Sequence, residues 1–316
     1  MSNLITGIHH VTALANDPQK NVDFYAGILG LRLVKKTVNF DAPDVYHLYY
    51  GDENGNPGSI MTFFPYSGIH PGRKGKGMLN VTSFSISEHS VDYWLKRLAK
   101  FKIAYKEPQQ RFEETFIYFE DYDGLGLELV ANAKDERKGF TYGNIPLENS
   151  IKGFYGVSIS EEGYERTAGL LSAQLNHKII SENGNRFRYS ASGKVGDFVD
   201  ILCTPDDIRG LSGGGTVHHI AFNTNTDADQ LLVREAIAKT NLNVTPVIDR
   251  QYFHSIYFRE PGGVLFEVAT VPPGFSVDEP KEHLGEGLKL PPQYEERRAE
   301  LEKVLPNLVV DLKTFA

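Results

Sequence analysis

The sequence predicts an α+β fold built from four βαβββ units. One segment repeats without gaps, because Arg, Ile-Tyr-Phe, Gly and Glu recur at identical offsets in residues 111–128 and 250–267. Stretches with apolar residues at three- and four-residue spacing, typical of helices, also alternate with short apolar stretches typical of strands. Helices that connect such strands, with further strands after them, indicate an α+β protein.

The elements of the four units follow one another in the same order. The first strands are predicted at residues 7–15, 78–87, 153–160 and 216–224. The helices that follow them are predicted at 17–30, 90–101, 162–175 and 227–240, with Asp or Ser available to cap three of them. The later strands are predicted at 45–50 and 59–66, 116–120 and 126–131, 186–190 and 198–203, and 255–260 and 264–269.

The units begin near residues 5, 77, 151 and 215 and are grouped into two halves. We expect an N-terminal domain at 1–140 and a C-terminal domain at 141–276, each of two units. The remaining residues, 277–316, are rich in Pro and charged residues and are expected to form a tail with one amphipathic helix at 295–305. Since a unit of this kind leaves one face of its sheet uncovered, pairs of units should curl around a shared cleft.

Composition excludes several classes of function. The formal net charge of -8 leaves no basic surface for nucleic acid or an anionic membrane. No apolar run approaches the length of about 18 residues that a membrane span needs. The single cysteine, Cys203, excludes a disulfide framework and a cysteine-rich zinc site, and is interpreted as a small buried strand residue. These features predict a soluble, cytoplasmic protein.

The first and last strands of a unit can both direct side chains into the cleft, because alternate strand residues share a face. At these positions the first unit has His10 and Phe63, and the fourth has His219 and Glu267. The other two units have Asn80 with Glu128, and Tyr155 with Asp200. Imidazoles therefore come from the first and last units alone.

If those two units face each other, they assemble two histidines and one carboxylate, the facial triad of non-haem Fe(II) sites. Each histidine belongs to a doublet, His9-His10 or His218-His219, and neighbours on a strand point to opposite faces. The second of each doublet is the predicted ligand, with His218 as the alternative to His219. Glu267 lies inside an apolar strand, where metal coordination removes the cost of burial.

Three segments, 7–41, 214–224 and 258–270, resemble the vicinal oxygen chelate superfamily. They are most similar to its four-module ring-cleaving dioxygenases that act on hydroquinones of the methylhydroquinone or chlorohydroquinone type. The resemblance covers essentially the whole chain. It implies two glyoxalase-like domains with curled mixed sheets, a small aromatic diol and O2 as substrates, and a mononuclear non-haem iron enzyme.

The resemblance also implies Fe(II), with Mn(II) as the other ion, held by His10, His219 and Glu267. It implies Thr12, His218, Arg250 and Tyr257 as residues around the substrate. Arg250 or His218 would favour the phenolate form of the substrate. His218 and Tyr257 would act as general acid or base, and Thr12 would orient substrate or oxygen.

Alternatives remain open. Arg250 and Tyr257 have repeat counterparts in Arg111 and Tyr118, so a shared structural role is the other interpretation. Glu128, the counterpart of Glu267, is expected to be structural or vestigial. At the level of function, the alternatives are another metal-dependent enzyme of this fold, such as a glyoxalase-like isomerase or thiol-conjugate hydrolase, and a non-catalytic protein that binds an aromatic compound or drug. The enzymes of the first alternative normally need a second carboxylate where Phe63 stands. The sequence leaves open whether the chain forms a homo-oligomer.

Overall fold

Among the residues that the structure describes, each of the four units contributes four strands and one helix. The computed structural model of the chain describes residues 3–143 and 145–316. The strands are β1 (Gly7–Ala15), β2 (Arg32–Asn39), β3 (Ala42–Gly51), β4 (Ile60–Pro65), β5 (Met78–Ile86), β6 (Gln109–Arg111), β7 (Glu114–Glu120), β8 (Gly126–Ala131), β9 (Phe154–Glu161), β10 (Lys178–Asn183), β11 (Arg186–Ser190), β12 (Phe198–Cys203), β13 (Thr216–Thr224), β14 (Ile248–Asp249), β15 (Phe253–Arg259) and β16 (Leu265–Pro273). The helices are α1 (Pro18–Val22), α2 (Val91–Lys100), α3 (Glu165–Ala173), α4 (Asp227–Ala238) and α5 (Arg298–Val304).

The strands form two mixed sheets of eight, and the predicted α+β fold is confirmed. The first sheet has the order β14-β15-β16-β13-β1-β4-β3-β2, so it joins the first and fourth units. The second has the order β10-β11-β12-β9-β5-β8-β7-β6 and joins the two middle units. Antiparallel pairs, β1 with β13 and β5 with β9, connect the units at the centre of each sheet. The first and last units are thus neighbours, as the metal-binding hypothesis requires.

The predicted division at residue 140 follows the order of the repeats along the chain. The sheets follow a different grouping, because each takes one unit from either side of that residue. The boundary therefore stays a prediction about sequence organisation.

The second strand of each unit could not be located from the sequence. β6 and β14 are only three and two residues long. Most of β10 is exposed, which removes the apolar pattern that predicts a strand. β2 contains Lys35 and Lys36 in its centre, yet Lys35 is fully buried.

The helices begin and end close to their predicted bounds, with one exception. Asp17 caps α1 by accepting hydrogen bonds from the N–H groups of Gln19 and Lys20, but after five residues the chain continues as π-helix through Asp23–Ile28. α4 lies against β13, β15 and β16, where Val233 and Ile237 are buried. Along the described residues, no helix is long and apolar enough to span a bilayer. The cytoplasmic location stays a prediction.

The C-terminal tail packs on the first unit. Tyr46 Oη donates to the carbonyl of Pro306 at 2.9 Å, and Tyr294 Oη donates to the carbonyl of Phe40 at 2.8 Å. The tail contains α5 and several short 3₁₀ turns, with Leu301 buried against the core. It is therefore an integral part of the fold.

Candidate metal centre

Three side chains from the two ends of the chain meet at the centre of the first sheet. Nε2 of His10 on β1 and Nε2 of His219 on β13 are 3.2 Å apart. Oε2 of Glu267 on β16 lies 3.4 Å from the first nitrogen and 3.0 Å from the second. All three residues are buried. The pairing of β13 with both β1 and β16 brings them together.

Each histidine doublet lies at an irregularity of its strand. The register between β1 and β13 skips His9 on one strand and His218 on the other. Such bulges redirect a side chain that would otherwise face away from its neighbour. As a result, the Nδ1 atoms within each doublet lie close together, at 2.9 Å for His9 and His10 and 2.8 Å for His218 and His219. The first histidine of each doublet therefore supports the second.

These contacts determine which nitrogen His10 presents to the centre. Nδ1 of His10 contacts Nδ1 of His9 at 2.9 Å, so its Nε2 is the nitrogen that faces His219 and Glu267. Coordination of a metal through Nε2 would place the ring proton of His10 on Nδ1, from which it would donate to Nδ1 of His9. Metal-bound histidines typically donate their other ring N–H to a partner in this way.

The converging atoms suit a divalent metal ion. Glu267 Oε2 is buried and accepts no well-formed hydrogen bond within the described part of the chain. With bonds of about 2.1 Å, ligand atoms lie about 3.0 Å apart on the face of an octahedron and about 3.4 Å apart in a tetrahedron. The three observed separations, 3.0, 3.2 and 3.4 Å, lie in this range.

Electrostatics favours the protonation states that a metal requires. Burial alone would raise the pKa of Glu267, but His10 and His219 hold it well below its usual range. Burial lowers the pKa of His219, and the Glu267 carboxylate opposes this shift. A carboxylate anion thus stands beside a neutral imidazole, and both are ready to coordinate.

A cavity of about 510 Å³ opens at this centre. Its lining includes both His10 and His219 and is rich in aromatic rings, namely Phe40, Tyr49, Phe64, Tyr66, Phe253 and Tyr257. A volume of this size, with mostly apolar walls and a few polar groups, is typical of small-molecule sites.

Three of the four predicted catalytic residues line the cavity, namely His218, Arg250 and Tyr257. Nε of Arg250 donates to Oη of Tyr257 at 3.2 Å, and its Nη1 lies 3.4 Å from Oδ2 of Asp41. The fourth, Thr12, is fully buried and its Oγ1 lies 2.9 Å from Oγ1 of Thr62. Their catalytic roles stay predictions.

His218 is reached from solvent through the cavity, but the surrounding walls remove much of its hydration. Burial and the neighbouring His219 lower its pKa to about 3. It is therefore a neutral imidazole. Because its Nδ1 contacts His219, its other nitrogen, Nε2, is the one available to a ligand.

The position expected for Phe63 was wrong by one residue. Thr62 pairs with Thr12 on β1, and its hydroxyl bonds to Thr12 and His47 on the cavity side. Phe63 points the other way and packs with Tyr25 and Tyr50. Adjacent strand residues face opposite sides, so a one-residue error exchanges the faces. Neither residue is a carboxylate, so the argument against a second acidic ligand is unchanged.

The second sheet uses the same glutamate position differently. Arg111 donates from Nη1 and Nη2 to the two oxygens of Glu128 at 3.0 and 2.7 Å, and Ser83 donates to Oε2 at 2.7 Å. This is the structural use that the sequence favoured. Within residues 3–143 and 145–316, His10, His219 and Glu267 are the only cluster of three or more side chains suited to hold a metal.

Sequence reasoning missed the contribution of β3 to the cavity. His47 and Tyr49 line it, together with Asn39 at the end of β2 and Asp41 in the turn between β2 and β3. Polar residues at alternate positions of an apolar strand were the available signal, because they share one face. His9 was also missed as a support for His10, since a bulge has no clear sequence signature.

Comparison with known proteins agrees with this architecture. The family model of the Glyoxalase/Bleomycin resistance protein/Dioxygenase superfamily matches residues 7–129 and 157–268. The chain belongs to this superfamily. The resemblance noted in the sequence is thus confirmed. Each matched segment covers all or part of one unit from the first sheet and of one unit from the second.

Similar members of the superfamily extend over the whole chain. "Putative ring-cleaving dioxygenase MhqO" of Bacillus subtilis (strain 168) is 46% identical, covering 96% of this chain and 97% of that protein. The chlorohydroquinone/hydroquinone 1,2-dioxygenase of Sphingobium indicum is 33% identical, covering 97% and 98%. The crystal structure of a "putative dioxygenase" from Bacillus subtilis superposes with a TM-score of 0.93 at 46% identity, covering 97% and 98%. Glyoxalase I from Zea mays shares the fold, with a TM-score of 0.61 at 12% identity, covering 84% and 92%.

Proposed function

We propose that this chain is an Fe(II)-dependent ring-cleaving dioxygenase of the extradiol type, which opens hydroquinone or catechol-like rings with O2. One observation carries the proposal: two imidazole nitrogens and a carboxylate oxygen converge within 3.0–3.4 Å beside an aromatic-lined cavity. Full-length similarity to proteins named ring-cleaving dioxygenases supports it.

His10, His219 and Glu267 would hold the ion, with Mn(II) as the alternative to Fe(II). A two-histidine, one-carboxylate set leaves coordination positions open, so that a bound ion can bring a diol and O2 together and pass electrons between them. The protein contributes the geometry of the ligands and a cavity that limits access of water.

Arg250 would favour ionisation of the substrate. A guanidinium near a phenol stabilises the phenolate and lowers the pKa of that hydroxyl. Hydrogen bonding to Tyr257 and the ion pair with Asp41 direct the guanidinium towards the cavity.

His218 would handle a proton close to the ligands. Its Nδ1 is engaged by His219, so Nε2 is left to donate to an oxygen atom in the cavity. A substrate anion beside the ring would raise its pKa from about 3 towards the range in which it takes up a proton. Tyr257 is a second donor on the same wall.

The test combines metal content with oxygen consumption. Protein loaded with Fe(II) under anaerobic conditions should bind one iron per chain and then consume O2 when methylhydroquinone or catechol is added. Glu267→Gln should lose both iron and oxygen uptake. Glu128→Gln, which changes the same repeat position in the other sheet, is the matched control and should retain both.

Two results would refute the proposal. Conversion of a substrate without uptake of O2 would indicate an isomerase or hydrolase of the same fold. Binding of aromatic diols without turnover by the iron-loaded protein would indicate a binding protein.

A further inference from the structure

A row of polar side chains crosses the first sheet from the candidate metal centre to the opposite wall of the cavity. Thr12 pairs with His219 between β1 and β13, and with Thr62 between β1 and β4. Thr62 in turn pairs with Tyr49 between β4 and β3. Directly paired residues point to the same face of a sheet. The four side chains therefore lie on one face and lead from a predicted ligand to Tyr49.

Hydrogen bonds connect the far end of this row. Oγ1 of Thr62 lies 2.9 Å from Oγ1 of Thr12 and 2.9 Å from Nε2 of His47. Nδ1 of His47 lies 2.9 Å from Oη of Tyr49. The His47 ring is also held between Tyr49 and Phe64, with centroid separations of 4.0 and 4.3 Å. Both nitrogens of His47 are thus engaged and its orientation is fixed.

The hydrogens of this row can be arranged in two ways. If Thr62 donates to Nε2 of His47, then Nδ1–H donates to Tyr49 and the hydroxyl hydrogen of Tyr49 is left to point elsewhere. If Nε2–H donates to Thr62, Tyr49 must donate to Nδ1 and its oxygen keeps a free lone pair. Among the described residues, His47 is the polar partner of the Tyr49 hydroxyl. Tyr49 lines the cavity, and its hydroxyl keeps hydrogen-bonding capacity beyond the contact with His47.

The wall formed by Arg250 and Tyr257 lacks this freedom. Tyr257 is bonded to Arg250, which can only donate, so the Tyr257 hydrogen is always available to other acceptors. Arg250 and Tyr257 therefore suit an oxygen that binds as an anion. The wall of Tyr49 can either donate or accept, and it suits a neutral hydroxyl that changes its protonation state as a reaction proceeds.

We propose that Tyr49, oriented by His47 and Thr62, binds the substrate hydroxyl that does not bind the metal and thereby selects diols over monophenols. This role rests on the proposed ring-cleaving function. Tyr49 is a binding residue in this assignment, whereas His47 and Thr62 are positioning residues. Reversing the hydrogens of the row changes Tyr49 from a donor into an acceptor without changing the net charge of the row.

The test measures binding under anaerobic conditions, so it does not depend on turnover. Calorimetric titrations of the metal-loaded protein would compare hydroquinone with 4-methylphenol, and catechol with 2-methylphenol. The intact protein should prefer the diol of one pair by about 2- to 13-fold, the contribution of one hydrogen bond between neutral groups. The pair that shows the preference also identifies where the second hydroxyl lies.

Tyr49→Phe should abolish this preference by weakening diol binding and leaving methylphenol binding unchanged. Thr62→Val should change it in the same direction to a smaller extent, which provides a second variant if the first fails to fold. Tyr46→Phe makes the same chemical change on β3, away from the cavity, and should leave the preference intact. Thermal unfolding of each variant checks the fold.

Two results would overturn the assignment. One is a Tyr49→Phe variant that retains the diol preference, and the other is equal weakening for diol and methylphenol. In steady-state assays the variant should raise KM for the diol more than it lowers kcat, since the hydrogen-bond and ring partners of Tyr49 in the described residues are His47, Tyr252 and Phe275, not the predicted metal ligands. If the intact protein prefers diols but consumes no O2 with any of them, the proposed function fails while the binding role of Tyr49 stands.

Discussion

Replacing Lys35 by methionine should loosen the C-terminal tail from the sheet that holds the candidate metal centre. Lys35 is fully buried on β2, and its Nζ donates to Asp278 Oδ1 at 2.7 Å and to Glu279 Oε2 at 2.8 Å. Asp278 also accepts hydrogen bonds from Gln251 and Tyr252, the residues that follow Arg250. Without the cation, two carboxylates would face each other where little water can reach.

The expected cost follows from these contacts. Removing one partner of a buried ion pair costs about 3–5 kcal/mol. The lower end applies here, because the Asp278 side chain is 22% exposed and Glu279 keeps hydrogen bonds from the N–H groups of Gly285 and Gly287. With an unfolding entropy of about 2.1 cal/mol/K per residue, a loss of about 3 kcal/mol lowers Tm by about 4–5 °C in a chain of this length.

Thermal unfolding followed by circular dichroism measures this change. Lys36→Met alters the next residue along β2, without the ion pairs, and is the matched control. Adding Asp278→Asn and Glu279→Gln to Lys35→Met should recover much of the loss, since no uncompensated charge remains. A Tm of Lys35→Met within 1 °C of the unmodified protein, or a triple variant as unstable as the single one, would refute this reasoning.

Three further predictions concern other buried polar groups. His9→Phe removes the acceptor of the Nδ1–H of His10 and should weaken metal binding about 10- to 100-fold. Competition with a chelator measures this change. An unchanged metal affinity would exclude a supporting role for His9. Burial, together with a neighbouring carboxyl, raises the pKa of Glu161 from 4.5 to about 8. The contribution of Glu161 to the free energy of unfolding is therefore full below pH 4.5 and is lost as the pH rises through 8. In urea titrations the free energy of unfolding of Glu161→Gln should lack that decline between pH 5 and 8. Parallel pH profiles of the variant and the unmodified protein would contradict the assignment. Arg111→Leu leaves Glu128 buried without its cation and should lower the free energy of unfolding by about 3–5 kcal/mol. The double variant Arg111→Leu with Glu128→Leu should lose less stability. A double variant that is no more stable than the single one would contradict this prediction.

Repetition made most of the fold predictable from the sequence. The paired segments that end in Glu128 and Glu267 identified two copies of one unit, and the helix and strand patterns extended these to four. The histidine doublets identified which two units should meet. Residues that recur at fixed offsets need no tertiary knowledge to be aligned. The sheet grouping confirmed that the first and fourth units are neighbours.

Strand register was harder to predict. The error at Phe63 arose because the first unit lacks the repeated motif, so its last strand can be aligned one residue out of register. A shift of one residue exchanges the two faces of a strand. The bulges at His9 and His218 break the alternation on which the prediction of facing depends. The connection from Thr12 to Tyr49 crosses three strands, so it exists only once the register of each is known.

The two sheets give alternative solutions to the same physical problem, and the comparison explains the position of Arg250. A buried glutamate needs a positive or coordinating partner. In the second sheet Arg111 supplies it, because it bonds directly to both oxygens of Glu128. In the first sheet imidazoles already surround Glu267, and the equivalent arginine instead bonds to Tyr257 and pairs with Asp41 at the cavity. Arg250 is therefore not needed to neutralise Glu267, and it lines the cavity instead.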